Sequence, residues 1–420
     1  MSITVLTLAL LMSANPVQNR PYYDAAKKAL TWIEAETLRN EAELSADTSL
    51  YSGGAGVLLF FAEFDHAQPT VYLSRRVDAR ARALAKSASG VEECGLYVGL
   101  SGIAFALDCA YQATRVEEHE TAAKECIDRV VKAAKPVGSG VEWNETTDIV
   151  SGSAGIGCTL LWAANAFKRP ELLDLAKKAG DRLIELGKPQ ETGTAWSMDP
   201  KFPRQMPNFS HGTAGVSYFL AQLCRATGEA KYLAAAKKGA DYLVSISGKD
   251  GLVFHHKPDG KDLFYLGWCH GPVGTSRLFA VLHKATKDVS YAKWIDTAAE
   301  TLLASELPDK RTPGYWNNFG YCCGDAGMAR FFLDLYRLDE KPEQIAFARK
   351  EADFLIRSAE PSDGGLKWTF AENRVSPKEV KAQTGLMQGA AGIGLTLLWL
   401  DAFDQKRDAL VRMPDAPWRW

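Results

Sequence analysis

Cys269, Cys322 and Cys323 are the residues of this 420-residue chain whose type and setting most suggest chemistry. The adjacent pair lies in "NNFGYCCGDAG" and the single one in "GWCHGPVG", two glycine-rich stretches that each run into an apolar segment. Neighbouring cysteines do not readily bridge to one another. Cys322 and Cys323 are therefore either small buried hydrophobes or two ligands aimed at a soft target. Thiolates favour soft or borderline ions, and zinc commonly takes Cys and His ligands. Three protein ligands would leave a fourth position open, as catalytic zinc does. The spacing carries no compact CxxC signature, so buried or redox-paired cysteines stand as the competing reading. Asp148 in "TTDIVSGSAG" and His211 in "NFSHGTAG" flank similar glycine stretches. Read without chemistry, Asp148 is a charge at a helix N-terminus and His211 a capping or packing residue.

These residues become neighbours through a repeat. A Gly-x-x-Gly shape precedes an apolar run seven times, and its last glycines are Gly56, Gly102, Gly155, Gly215, Gly274, Gly327 and Gly392. The intervals are 46, 53, 60, 59, 53 and 65 residues, a quasi-regular period that marks a repeat architecture. Between the copies lie Ala/Lys/Glu-rich segments such as "ELLDLAKKAGDRLIEL", whose apolar residues recur at i, i+3, i+4 and i+7. The runs after the glycines, such as "VSYFLAQL" and "IGLTLLWL", are apolar almost all round and belong inside. Each unit then reads as a half-wet helix followed by a buried one, and no unit covers its own core. The expected fold is all-α: a closed (α/α)7 toroid with seven inner and seven outer helices. An open solenoid is the alternative, but it would leave the very apolar "GIGLTLLWL" at an end. The inner helices all run in one sense, so their N-termini gather at one rim. The unpaired N–H groups and positive dipole ends there would face a common pocket. Asp148, His211, Cys269 with His270, and Cys322 with Cys323 come from four consecutive repeats on one side of that rim. Ser52, Val98 and Gln388 fill the other three repeats.

Composition is that of an ordinary globular chain, 46% hydrophobic and 24% charged. A net charge of −2 without a basic block argues against nucleic acid as a partner. No apolar run reaches the ~18 residues of a membrane span. Residues 1–21 read as a possible signal peptide or N-terminal extension. "ITVLTLALLM" has the length of a signal core, yet no Lys or Arg precedes it, so cytoplasmic and exported forms both stay open. Eight cysteines are too few for a disulfide scaffold, and Cys109, Cys126, Cys158 and Cys224 sit in apolar helical patterns as expected buried thiols.

Seven glycine motifs, "SLYSGGAG", "SHGTAG", "GWCHGPVG" and "YCCGDAG" together resemble the lanthionine synthetase C-like family over nearly the whole chain, from about Tyr22. The resemblance implies a single α,α-barrel domain over residues 22–420. It implies zinc at Cys269 and Cys322, with Cys323 where the family usually has His and His270 as an alternative ligand. It implies Michael-type addition of a Cys or small-molecule thiolate to dehydroalanine or dehydrobutyrine, forming a thioether, with His211 and Asp148 as catalytic residues. The implied partners are a dehydrated peptide or a small thiol such as glutathione, with a separate dehydratase making the dehydro residues. Where family cyclases carry an Arg four residues before the fifth-repeat Cys, this chain has Tyr265; Arg277 and Arg204 are near only in sequence. Two other functions stay open. One is a non-catalytic zinc- or thiol-binding barrel. The other is a carbohydrate-active α,α-barrel, which eleven Trp, among them Trp143, Trp196 and Trp316, would suit.

Overall fold

The computed structural model describes residues 19–40, 46–198, 201, 204–311 and 318–417. Ile3–Met12 and Trp316 lie outside these residues. Outer and inner helices alternate along the chain: α1 (Pro21–Arg39), α2 (Gly54–Ala67), α3 (Val71–Ala88), α4 (Leu100–Thr114), α5 (Glu117–Ala133), α6 (Ser153–Ala166), α7 (Leu172–Leu186), α8 (Thr213–Thr227), α9 (Ala230–Ile246), α10 (Pro272–Thr286), α11 (Val289–Ala304), α12 (Asp325–Asp339), α13 (Pro342–Arg357) and α14 (Ala390–Asp404). Four short antiparallel hairpins interrupt the loops: β1 (Lys135–Val137) with β2 (Gly140–Glu142), β3 (Lys188–Pro189) with β4 (Thr194–Ala195), β5 (Glu360–Ser362) with β6 (Gly365–Lys367), and β7 (Thr369–Ala371) with β8 (Val380–Ala382).

The even-numbered helices form the inner ring. Each packs on the next, and α14 packs back on α2, so the toroid is closed. Their residues are buried nearly all round, as the apolar sequence demands, whereas an outer helix such as α7 buries only Leu172, Ala176, Ala179, Gly180 and Leu183. The pairing differs from an outer-then-inner unit in one respect. The tight antiparallel pairs are an inner helix and the outer helix after it, as in α4 with α5 and α12 with α13. The link from Thr114 to Glu117 is too short for any other arrangement, while the return from α5 to α6 is long enough to hold a hairpin. The first outer helix, α1, therefore packs on the last inner one, α14. Arg20 fastens that seam with two bonds to Asp401, 2.8 and 2.6 Å long.

Trp143, Trp196 and Trp368 belong to the wall. Each is buried, and each Nε1 donates to a carbonyl 13 residues earlier at the end of an outer helix, Val130, Leu183 and Leu355 respectively. After α14 the chain turns back among the inner helices, burying Val411, Met413 and Asp415. Arg277 donates to the Asp415 carbonyl at 2.8 Å, and Tyr97 donates its hydroxyl to the carboxylate at 3.1 Å. This segment fills the barrel interior beneath the rim.

The rim loops are stitched into a circuit of backbone hydrogen bonds. Tyr51 N–H donates to Tyr97 C=O (2.8 Å), Tyr97 to Val150 (2.9 Å), Ile149 to Ser210 (3.2 Å), Ser210 to Cys269 (3.0 Å), Cys269 to Cys322 (3.2 Å), Cys322 to Met387 (2.9 Å), and Met387 back to Tyr51 (2.8 Å). The glycines make the tight loop possible. A Cβ on Gly274 would lie 1.9 Å from the Trp268 carbonyl and one on Gly155 2.0 Å from that of Ile149, and the same overlap recurs at the last glycine of every repeat. The loops also cap the helices they feed. Ser153, Ala154 and Gly155 donate to the carbonyls of Thr146, Thr147 and Asp148. The first N–H groups of the inner helices are thus largely taken by their own loops, and anion binding by free helix ends is not the organising feature of the rim.

Gly215→Ala would place a Cβ 2.2 Å from the Phe209 carbonyl. It is expected to destabilise the fold by about 2–3 kcal/mol, the cost of forcing atoms into a packed site. Gly90→Ala, whose Cβ meets only the Ser87 carbonyl at 3.8 Å, is expected to stay within about 0.5 kcal/mol. Denaturant unfolding of the two variants reads the difference.

Candidate metal centre

The circuit sets Cys269 and Cys322 at the same place in adjacent loops, five residues before the last motif glycine of their repeats. Their backbones are bonded directly, so both side chains leave the rim side by side. Cys323 follows at the next position. Its Sγ lies 3.2 Å from that of Cys269 and 3.4 Å from that of Cys322, and all three sulfurs fall within 4.8 Å of one another. All three residues are buried. No disulfide forms among the described residues.

Three thiols packed this closely cannot ionise independently. Bonds from Cys269 and Cys323 hold the Cys322 thiol far below its ordinary range, against the penalty of burial and with help from the Tyr51 hydroxyl and the His211 charge. Cys269 is driven up by its bond to Cys322 and by burial. Cys323 is drawn down by Cys269, but the bond to Cys322 and burial carry it up. Among these three buried sulfur donors, Cys322 is thus the one most disposed to ionise. That donor set suits a borderline divalent ion. Tetrahedral zinc with Zn–S near 2.3 Å would hold sulfurs roughly 3.8 Å apart, a small expansion from the present spacing. Gln388 closes the far side, its Nε2 lying 3.2 Å from the Tyr51 hydroxyl and 3.7 Å from Cys323 Sγ.

His211 and Asp148 meet at the neighbouring loops. His211 Nδ1 is 2.6 Å from Asp148 Oδ2. The other carboxylate oxygen accepts the backbone N–H groups of Ser151 and Gly152, each at 2.8 Å. Asp148 is fully buried and oriented by its own loop, whereas the His211 side chain keeps 30% of its surface exposed and lines the cavity. Burial lowers the His211 pKa, but the bond to Asp148, the Asp148 charge and the Cys322 charge outweigh it, and the net shift is upward.

Sulfurs and imidazole share a cavity of about 430 Å³. Its walls also carry Tyr51, His255, Tyr265, His270, Arg374 and Gln388. His270 stands outside the sulfur cluster, its ring tilted against that of His255 with centroids 3.9 Å apart and lying 5.7 Å from that of His211. Burial and the neighbouring imidazoles push His270 well below its ordinary pKa, and burial first of all pushes His255 down to about 4. Tyr265 meets His255 edge-on at 4.7 Å, and Arg374 brings a guanidinium to 5.9 Å from the Tyr265 ring. Burial, Cys269 and Cys323 raise the Tyr265 hydroxyl to about 12, and Arg374 opposes them. Glu372 is the one carboxylate lining the cavity among the described residues.

The structure therefore gathers Cys269, Cys322, Cys323 and His211 on one cavity, with Asp148 behind His211. Val98 and Gln388 also line it; Ser52 instead donates to Asp47 at 2.6 Å. Tyr51, His255 and Arg374 were not singled out in the sequence. Tyr51 was within reach of it, because it occupies the same repeat position as Cys269 and Cys322. His255 and Arg374 lie outside the glycine motifs and carry no such signal.

A model of the lanthionine synthetase C-like protein family matches residues 45–414. The chain belongs to that family. "Glutathione S-transferase LANCL1" of Danio rerio is 23% identical over 74% of this chain and 75% of its own length. Among solved structures, "Nisin cyclase" superposes over 94% of this chain and 97% of its own, with a TM-score of 0.69 and 16% identity. The GH76A alpha-1,6-mannanase from Salegentibacter sp. HEL1_6 shares the barrel more loosely, with a TM-score of 0.51 and 15% identity over 89% and 98% of the two chains. These structural likenesses show a common α/α toroid.

The protein purified with zinc is expected to hold one equivalent by mass spectrometry of its metals. Cys269→Ser, Cys322→Ser and Cys323→Ser are each expected to lower zinc affinity by a factor of ten or more, while His270→Ala leaves the content unchanged. A histidine NMR titration should place His211 above the ordinary pKa near 6.5. Asp148→Asn removes the largest influence opposing desolvation, so the same titration should then move downward.

Proposed function

We propose that this chain is a zinc-dependent thioether-forming enzyme that adds a thiolate to dehydroalanine or dehydrobutyrine in a modified peptide or protein. The observation that carries the reading is that the three-sulfur cluster and His211, braced from behind by Asp148, open onto one cavity. Cys269, Cys322 and Cys323 would hold the zinc, which when bound supplies Lewis acidity that favours the thiolate form of an incoming thiol.

The remaining work falls to protein groups. The thiol gives up its proton, and its sulfur bonds to the β-carbon of the dehydro residue. The C=C π pair moves onto the adjacent carbonyl as an enolate. His211, made more basic by Asp148, delivers a proton to the α-carbon and restores the carbonyl. The thiol proton passes to water in the cavity, and His211 recovers from solvent the proton it gave to carbon, so no further reactant is needed. Asp148 is sealed from the cavity and both of its oxygens are occupied, which suits it to orienting His211 and raising its pKa rather than to taking the thiol proton itself.

The thiol has two sources under this reading, a cysteine of the modified peptide or a small thiol. The name of the Danio rerio relative favours glutathione as the small thiol. A carbohydrate-active site finds little support here. Trp143 and Trp196 are committed to the barrel wall, and no second carboxylate faces Glu372 across the cavity among the described residues.

Incubation with a dehydrated peptide, with and without glutathione, tests the proposal. Glutathione addition raises the peptide mass by one glutathione; cyclisation leaves the mass unchanged but removes an alkylatable thiol. His211→Ala is expected to slow either reaction by about 10²–10⁴-fold, the usual range for a general acid, with its zinc retained. A zinc-loaded wild type that consumes no thiol under these conditions would be a binding barrel and not an enzyme.

A further inference from the structure

We propose that Gln388 and Tyr51 are positioning residues of the sulfur cluster, in a hydrogen-bond relay whose direction the backbone sets and which points an N–H at Cys323 and an O–H at Cys322. The inference rests on the metal reading of the three sulfurs and adds the groups that offset their charge.

The relay starts in the main chain. The Gly320 N–H can only donate, and it donates to Asn318 Oδ1 at 2.7 Å. The Ala371 carbonyl can only accept, and Asn318 Nδ2 lies 3.4 Å from it. These two contacts leave the Asn318 amide one way round, so its NH2 group also meets Gln388 Oε1, at 3.2 Å. Gln388 is oriented in turn. Its Nε2 faces Cys323 Sγ at 3.7 Å and the Tyr51 hydroxyl at 3.2 Å. Having accepted that N–H, the hydroxyl keeps its own proton for Cys322, its other partner. Asn318 and Gln388 are buried, so water does not compete for these bonds.

The rim circuit brings the parts together. Cys322 N–H donates to the Met387 carbonyl and Met387 N–H to that of Tyr51, so the seventh-repeat loop lies between the sixth and the first. Gln388 occupies in its repeat the place that Cys323 has in its own, four residues before the last motif glycine. Tyr51 likewise occupies the place of Cys322.

A donor at each of these sulfurs answers a charge. Three thiolates on a divalent ion leave a net negative charge, and a charge in a buried site is costly unless hydrogen bonds satisfy it. Hydrogen bonds to an ionised acceptor are the strong ones. Partners one step outside the ligands typically change metal affinity by roughly 10–100-fold. A glutamate of the same shape as Gln388 would offer no N–H and would add charge of the same sign.

The test loads the full chain with cobalt(II), whose thiolate-to-metal absorption band reports the electron density on sulfur, and measures zinc affinity by competition with a chelator. Gln388→Met keeps the length of the side chain without its N–H. It should move the band to longer wavelength and weaken zinc binding about tenfold. Gln388→Glu should move the band further. Asn318→Asp reverses the relay and should move the band the same way, about twice as far or more with Gln388 present as in the Gln388→Met background. A merely structural role would leave the band in place. An unmoved band in Gln388→Met, or equal effects of Asn318→Asp in both backgrounds, would overturn the relay. If the wild type shows no thiolate-to-cobalt band, the metal reading fails, and the relay is read by NMR in the metal-free chain. There the Gln388 amide protons should show an Overhauser contact with the Tyr51 ring that Asn318→Asp removes, and a wild type without that contact contradicts the assignment.

Discussion

The site depends on seven backbone hydrogen bonds that pass from loop to loop around the rim and return to their start. Each fixes the height and rotation of one loop against the next, and none of them uses a side chain. The circuit closes only because the inner helices close, with α14 against α2 and α1 sealing the seam. It also frees the side chains five and four residues before each motif glycine to vary. The same backbone can therefore present Tyr51 and Ser52 in one repeat and Cys322 and Cys323 in another. A toroid of this kind is a mounting ring, and chemistry is set by what is mounted on adjacent loops.

Two charge systems stand next to each other on that ring. One is the buried sulfur cluster, in which Cys322 is the thiol most disposed to ionise. The other is His211, made more basic by Asp148. Each supports the other, since the Cys322 charge helps to keep the imidazole protonated and the imidazolium helps to hold the thiolate. A histidine in place of Cys323 would lower the charge of the cluster. Under the proposed reading, a third thiolate on the metal would make a sulfur nucleophile held beside it more reactive, and His211 would supply the proton that the resulting enolate needs.

Much of this was legible in the sequence because it repeats. Seven glycine motifs before seven apolar runs imply a ring of like-oriented buried helices, and the alignment of those motifs puts Cys269, Cys322, His211 and Asp148 at one rim. The glycines recur for a reason that local sequence can carry, the approach of a carbonyl six residues earlier. What could not be read lacks a period. The pairing of each inner helix with the following outer one depends on link length. The return of Val411–Asp415 into the barrel depends on a buried arginine far away in the chain. Arg374 sits on a hairpin with no motif and reaches the site only through the register of β7 and β8. Tyr265 looked like a missing cation in the sequence; in the folded chain a guanidinium arrives beside it from another loop.

The central claim is that three sulfurs from two loops hold one zinc ion. Zinc K-edge X-ray absorption on the metal-loaded protein tests it most directly. The account predicts three sulfur scatterers at about 2.3 Å and one lighter neighbour. A first shell made only of nitrogen and oxygen, or one with fewer than three sulfurs, would contradict it.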